Sequence, residues 1–256
     1  MILSKQAGSF IQELPNFMMS LFSVLGILAA IMYNFILFLI QIVLICSMII
    51  YALKLGKQAI GSFLPLLAVC MNLFVIKQST LLGLEVTCSE GLAVGYILGF
   101  NLMQEFYGKE AARKTIWLTF FCTAAFMVLS QLHLLFVPNS FDNSQSHFVA
   151  LFKFMPRLVI ASLLCFLVVQ FFDLTFFAYL KKRFQGKYLT SRIFTSLVVS
   201  QALDTVLFSF LGLYGIVEEI FHVMLFSFLI KVLVIIFSTP FITFAKRIVA
   251  REQVSV

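Results

Sequence analysis

Charge is what this sequence has least of. Only 11% of its 256 residues are Asp, Glu, Lys or Arg, against roughly 25% in soluble domains. So few charges cannot cover a soluble surface, which excludes a water-soluble globular protein. Histidine is almost absent: His133, His147 and His222 lie far apart, near the ends of apolar runs. No His-Glu-x-x-His, Gly-x-Ser-x-Gly or phosphate-loop pattern occurs. With no soluble domain and no nucleotide site, enzymatic chemistry is not expected. The five cysteines (Cys46, Cys70, Cys88, Cys122 and Cys165) are scattered, without a Cys-x-x-Cys or a His/Cys cluster. They are expected to be free, small hydrophobes rather than disulfides or metal ligands. No cofactor is expected.

Apolar residues fill the space that charge leaves. They make up 62% of the chain, with 32 Phe, and the mean hydropathy is +1.06. The apolar runs are too long and continuous for outer-membrane strands, which alternate with period two over about ten residues. The spans are therefore helical, and the fold class is an all-α, polytopic transmembrane helix bundle. Six core spans are predicted over Leu64–Gln78, Gly91–Phe106, Thr115–Val137, Pro156–Leu180, Ile193–Tyr214 and Phe221–Ala245. The first two are short and should extend into their flanks, because a crossing takes about 20 residues. Upstream, Phe17 to Leu53 is apolar with little relief and no Gly/Pro turn. Phe35–Leu53 makes one further span. Phe17–Tyr33 is an eighth span, an interfacial helix or an extension of the first. Seven spans is the reading taken and eight the alternative, that is, six core spans plus one or two N-terminal helices. A cleaved signal peptide is not expected, because the run far exceeds its usual apolar region. The division is 1–60 for the N-terminal helix or helices, 61–250 for the six-span core and 251–256 for a cytoplasmic tail.

Lys and Arg set the orientation. Segments 54–60, 107–114, 181–192 and 246–251 hold 13 of the 18 basic residues. The alternate loops carry Lys153, with Arg157 at a span mouth, and are rich in acids: Glu85, Glu90, Asp142, Glu218 and Glu219. The positive-inside rule places the basic loops and the C-terminus in the cytoplasm of a cell whose inner membrane holds the chain. Seven spans put the N-terminus outside and eight put it inside. The run Lys181–Arg192 then marks topology rather than nucleic-acid binding, and no nucleic-acid partner is expected.

Polar groups inside the spans are the candidates for function. A carboxylate at the centre of a membrane helix costs about 2.5–3.5 kcal/mol on insertion scales. It tends to face a bundle interior or a wet cavity. Asp204 is such a group, and Gln201 lies three residues before it on the same helix face. Ser196, Ser200 and Phe208 fall near that face. Gln170 and Asp173 repeat the pair in the preceding span and are secondary candidates for the same cavity. Interhelical hydrogen bonds that only hold the bundle would use the same residues. Lys231, near the middle of the last span, needs an anionic partner, with Asp204 or Glu105 as the expected one. Arg157 either contacts substrate or snorkels to the interface. Gly91, Gly95 and Gly99 form a small-residue stripe for close helix approach, and Asn101 and Glu105 lie roughly opposite. Asn72, Lys77 and Gln78 make a further polar set.

The stretch Asn101-Leu-Met-Gln-Glu105-Phe-Tyr107-Gly108-Lys-Glu-Ala111-Ala-Arg113 resembles the signature of the YhhQ family. These are the queuosine precursor transporters, also called the VUT or vitamin-uptake-like family. The resemblance continues through Pro156-Arg157, Ala161-Ser162, Gln170, Asp173, Gly186-Lys187, Arg192, Ser200-Gln-Ala-Leu-Asp204-Thr205, Lys231 and Thr239-Pro240-Phe241. Together these pieces cover about Leu53 to Lys246 in order. The family's usual Asp at the head of the motif is Asn101 here, an isosteric but neutral residue.

The resemblance implies import of 7-deazaguanine-type bases: 7-cyano- or 7-aminomethyl-7-deazaguanine, or queuine. A guanine-like edge offers N1–H and N2–H donors that one carboxylate accepts together. Asp204 or Glu105 would serve. Arg157, Lys231 or an amide of Asn72, Asn101 or Gln201 would donate to O6, and aromatic rings would stack the base. Two other functions remain open from sequence. One is a vitamin-binding subunit energised by a separate ATPase complex, and the other is a structural or assembly membrane protein. A homo-oligomer is equally open.

Overall fold

A computed structural model describes residues 32–75, 77–81, 84–152, 155–213 and 220–252. Side chains are described for the same residues except 84, 85, 155–159, 213, 223 and 247–252. The expected segment Phe17–Tyr33 falls almost wholly outside these residues. The elements in chain order are α1 (Met32–Lys54), α2 (Lys57–Phe74), a hairpin of β1 (Gln78–Leu81) and β2 (Leu84–Thr87), α3 (Glu90–Tyr107), α4 (Lys109–Leu134), α5 (Gln145–Phe152), α6 (Met155–Arg183), α7 (Leu189–Phe208) and α8 (Ile220–Glu252). A π-helical turn, Ser209–Leu213, continues α7.

Six of these helices are long and apolar enough to cross a membrane: α1, α2, α4, α6, α7 and α8. Their outward faces carry large apolar side chains at helical spacing. On α1 these include Ile36, Ile40, Val43, Leu44 and Met48, and on α4 Trp117, Phe121, Val128 and Leu132. Such a surface is stable only against lipid. The seventh expected span, α3, is different. It has 18 residues, of which 14 are buried by protein. It packs on α2, α4, α6, α7 and α8. A helix shielded from lipid on all sides can carry Glu90, Asn101, Gln104 and Glu105, so its hydropathy falls below that of the outer helices.

The glycine stripe explains how α3 is reached. A Cβ on Gly95 would run into the Ile45 side chain of α1, and one on Gly99 into Leu64 of α2. The backbone of α3 thus lies directly against its neighbours, as small residues permit in membrane bundles. Two other glycines act through conformation. Gly56, between α1 and α2, has φ 107 and ψ 178, and Gly108, between α3 and α4, has φ 87 and ψ 164. That region is essentially closed to residues with a Cβ, so these one- or two-residue reversals need glycine. Tyr107 Oη donates to Leu53 O at 2.9 Å, tying the two reversals together.

The two ends of the bundle differ. The basic reversals after α1, α3 and α6 share one end. At the other end the hairpin pairs Gln78 with Thr87 and Ser79 with Val86, and Cys88 N donates to Lys77 O at 2.8 Å. Asn34 Nδ2 bonds Thr80 O at 3.3 Å, and Gln41 Nε2 bonds Cys88 O at 3.2 Å. These contacts dock the hairpin on α1, with Leu81 and Val86 buried. The expected first core span, Leu64–Gln78, is displaced. Its helix starts earlier, at Lys57, and stops at Phe74, so Lys77 and Gln78 leave the span and are exposed. Arg192, read as a loop charge, lies inside α7 and is fully buried. All five cysteines are free.

Candidate functional site

A cavity of about 180 Å³ lies at the hairpin end, walled by α2, α3, α6, α7 and α8 and roofed by β2. Its polar wall is built around one ammonium. Lys231 on α8 donates to Asp204 Oδ2 on α7 at 2.8 Å and to Thr205 Oγ1 at 3.2 Å. Glu90, the first residue of α3, brings Oε2 to 3.9 Å from the same Nζ. Glu90 Oε1 accepts from Ser227 Oγ at 3.1 Å and from Thr87 Oγ1 at 3.4 Å. Side-chain exposure is 7% for Lys231 and 9% for Glu90, but 27% for Asp204. Asp204 is therefore the carboxylate that the cavity sees most openly. One helix from each of three directions supplies the charges, and the partner that the lone ammonium demanded is a pair of carboxylates.

Two amides line the same space. Gln201 Nε2 donates to Ala93 O at 3.2 Å, while Gln201 Oε1 and Gln170 Oε1 are buried without a hydrogen-bond partner among the described residues. An unpaired buried acceptor costs about 1–3 kcal/mol, so both oxygens favour a donor arriving from the cavity. Asn72 is already engaged, donating to Ala68 O at 2.9 Å and accepting from Ser162 Oγ at 3.1 Å. Tyr96, Phe166 and Phe208 add aromatic faces to the lining, with the Tyr96 and Phe166 rings 5.7 Å apart.

The remaining candidates lie deeper. Asp173 is buried one turn from Gln170. Its Oδ1 accepts from Ser196 Oγ and Ser200 Oγ, both at 2.6 Å. Asn101, fully buried, faces Asp173. Neither Asp173 nor Asn101 lines the cavity, so this layer joins α3, α6 and α7 beneath it. Glu105 is at the far end of α3. Of the two partners expected for Lys231, Asp204 forms the pair and Glu105 does not; Glu105 instead takes a bidentate bond from Arg192, at 3.0 and 3.1 Å, and an ion pair from Lys181 at 3.2 Å. Arg192 also donates to Lys187 O at 2.9 Å and Gly186 O at 3.1 Å, and its guanidinium stands 5.4 Å over the Phe177 ring. Glu105 thus staples helix ends at the basic side and has no place in the cavity. Arg157 belongs to the first turn of α6, and its side chain lies outside the described residues.

Sequence reasoning passed over Glu90, taking it as a loop acid. A partial signal was present: Thr87-x-x-Glu90 has the spacing of a helix-start pattern, although α3 begins two residues later than that pattern implies, with Ser89 as its N-cap.

Residues 93–245 match the family model described as "Putative vitamin uptake transporter". A protein of Bacillus subtilis (strain 168) named "Probable queuosine precursor transporter" is 31% identical over 202 residues, which cover 77% of this chain and 88% of that protein. No solved structure matches the chain. The matched region runs from the first turn of α3 into α8 and takes in Asn101, Asp173, Gln201, Asp204 and Lys231. The chain belongs to this vitamin uptake transporter family of multi-pass membrane proteins.

Proposed function

We propose that the chain imports queuosine precursors, 7-cyano- or 7-aminomethyl-7-deazaguanine, or queuine itself, across the inner membrane for tRNA modification. The observation that carries this reading is the Asp204–Lys231 pair set in a cavity with unpaired amide oxygens and aromatic walls. The name of the Bacillus subtilis relative supports the same substrate class. Asp204, with an oxygen not used by Lys231, accepts N1–H and N2–H of the base, helped by Gln201 and Gln170. Lys231 donates to O6. Tyr96, Phe166 and Phe208 pack on the ring faces. Asn72 borders the site, and Asn101 and Asp173 support the helices beneath.

The basic reversals lie in the cytoplasm by the positive-inside rule, with the C-terminus on that side. The cavity at the opposite end then opens to the external face, the side from which an imported base arrives. The test is tRNA queuosine content in cells unable to make the precursors, supplied with each base in turn. Wild-type protein is expected to restore the modification. Asp204→Asn is expected to abolish restoration while the protein still inserts at wild-type level. Restoration by a well-expressed Asp204→Asn protein would overturn the assignment.

A further inference from the structure

The charges at the cavity do not balance. Asp204 and Glu90 face one ammonium, Lys231, and among the described residues no second cation reaches them. The other groups around Glu90 are neutral: Thr87 from the hairpin, Ser227 from α8, Gln41 of α1 against Gly91, and Asn72, Cys165 and Tyr96 in the cavity lining. A buried uncompensated carboxylate is strongly disfavoured. It takes up a proton or it takes up a cation.

The groups gathered at the ammonium say which cation fits. Lys231 Nζ is 2.8 Å from Asp204 and 3.9 Å from Glu90, and all three line the cavity, so its wall offers an acceptor, a donor and a second anion side by side. Around a 7-deazaguanine the edge presents N2–H and N1–H, then O6, then the substituent on C7. Asp204 suits the donors, Lys231 the acceptor and Glu90 a charged substituent. We propose that Glu90 is a specificity residue that selects bases whose 7-substituent carries an ammonium, in competition with a proton. The inference rests on the substrate reading above and deepens it. When such a base binds, the Glu90 carboxyl O–H bond breaks, the proton leaves to water, and the ligand's ammonium pairs with the carboxylate. A neutral nitrile at the same position can accept a hydrogen bond from protonated Glu90 but forms no ion pair with it. An alkylammonium is charged at neutral pH, as a lysine side chain is.

The test is equilibrium binding of 7-aminomethyl- and 7-cyano-7-deazaguanine to the purified full chain in lipid nanodiscs, between about pH 5 and pH 8, a range over which the alkylammonium stays charged. The expected result for the wild type is an affinity ratio favouring the amine by about tenfold or more, the scale of a charge-assisted contact, and rising with pH. Glu90→Gln is expected to lower that ratio about tenfold and to flatten its pH dependence. If Glu90→Gln does not fold, the wild-type pH series decides alone. A ratio near one at every pH, with both bases bound, overturns the inference and leaves the substrate reading intact. Binding of neither base overturns both.

Discussion

Glu105→Ala provides the sharpest test of how the bundle divides its acids between support and site. The substitution leaves the guanidinium of Arg192, whose side chain is 0% exposed, without its bidentate carboxylate. Breaking a buried pair by removing one partner costs about 3–5 kcal/mol. Arg192 keeps its bonds to Lys187 O and Gly186 O, which puts the expected loss near the lower end, about 3 kcal/mol. Arg192→Ala strips those two carbonyls as well and removes the stack on Phe177, but leaves Glu105 with half-exposed Lys181. Because the two residues share one network, their losses should not add. The double variant is expected to lose about 2 kcal/mol less than the sum of the singles. The assay is thermal unfolding of the purified protein in detergent, with base binding measured beside it at a temperature where each variant is folded. Binding should persist in folded Glu105→Ala, since Glu105 lies outside the cavity. Additive losses, or a Glu105→Ala protein of wild-type stability that binds no base, would refute the reasoning.

Two further outcomes are expected. Lys231→Met strands both Asp204 and Glu90 and should lower the yield of monodisperse protein, consistent with a loss of about 3 kcal/mol; Lys231→Met with Asp204→Asn should recover much of that yield by size-exclusion chromatography, and neither should transport. Gly95→Ala drives a methyl into Ile45 and should cost about 1–3 kcal/mol by overpacking; adding Ile45→Ala should restore thermal stability, and no restoration would show that α1 does not press on α3 there.

The helices were readable wherever lipid dictates composition. The apolar run Phe221–Ala245 lies within α8, and Thr115–Val137 follows α4 to its end at Leu134 and overshoots it by three residues; lipid-facing helices must be apolar. Reading failed where protein replaced lipid. At Lys77 and Gln78 hydropathy did not separate a helix end from a short hairpin, since both are bordered by apolar residues. The stretch Gln145–Phe152 forms a short helix that no periodicity had marked. Glu90 sits at the edge of an apolar run, where sequence alone does not separate a loop acid from the first residue of a buried helix. Arg192 was counted with the basic loop beside it, and only its pairing with Glu105 explains why a guanidinium stays buried in α7.

By itself, then, the sequence determined that the chain crosses a membrane as helices, where most of those helices run, and several of the polar groups they must hide. The reason is thermodynamic: backbone polar groups must be satisfied within each helix in lipid, and that demand is met or broken locally, residue by residue. Tertiary structure alone decided which hidden groups meet. Spacing along one helix places Gln201 and Asp204 on a common face, but it says nothing of the rotation and depth of the helix opposite. Those are set by packing, such as the glycine stripe of α3 against Ile45 and Leu64. Packing brought Lys231 between Asp204 and Glu90 at one end of the bundle and joined Glu105 to Arg192 at the other.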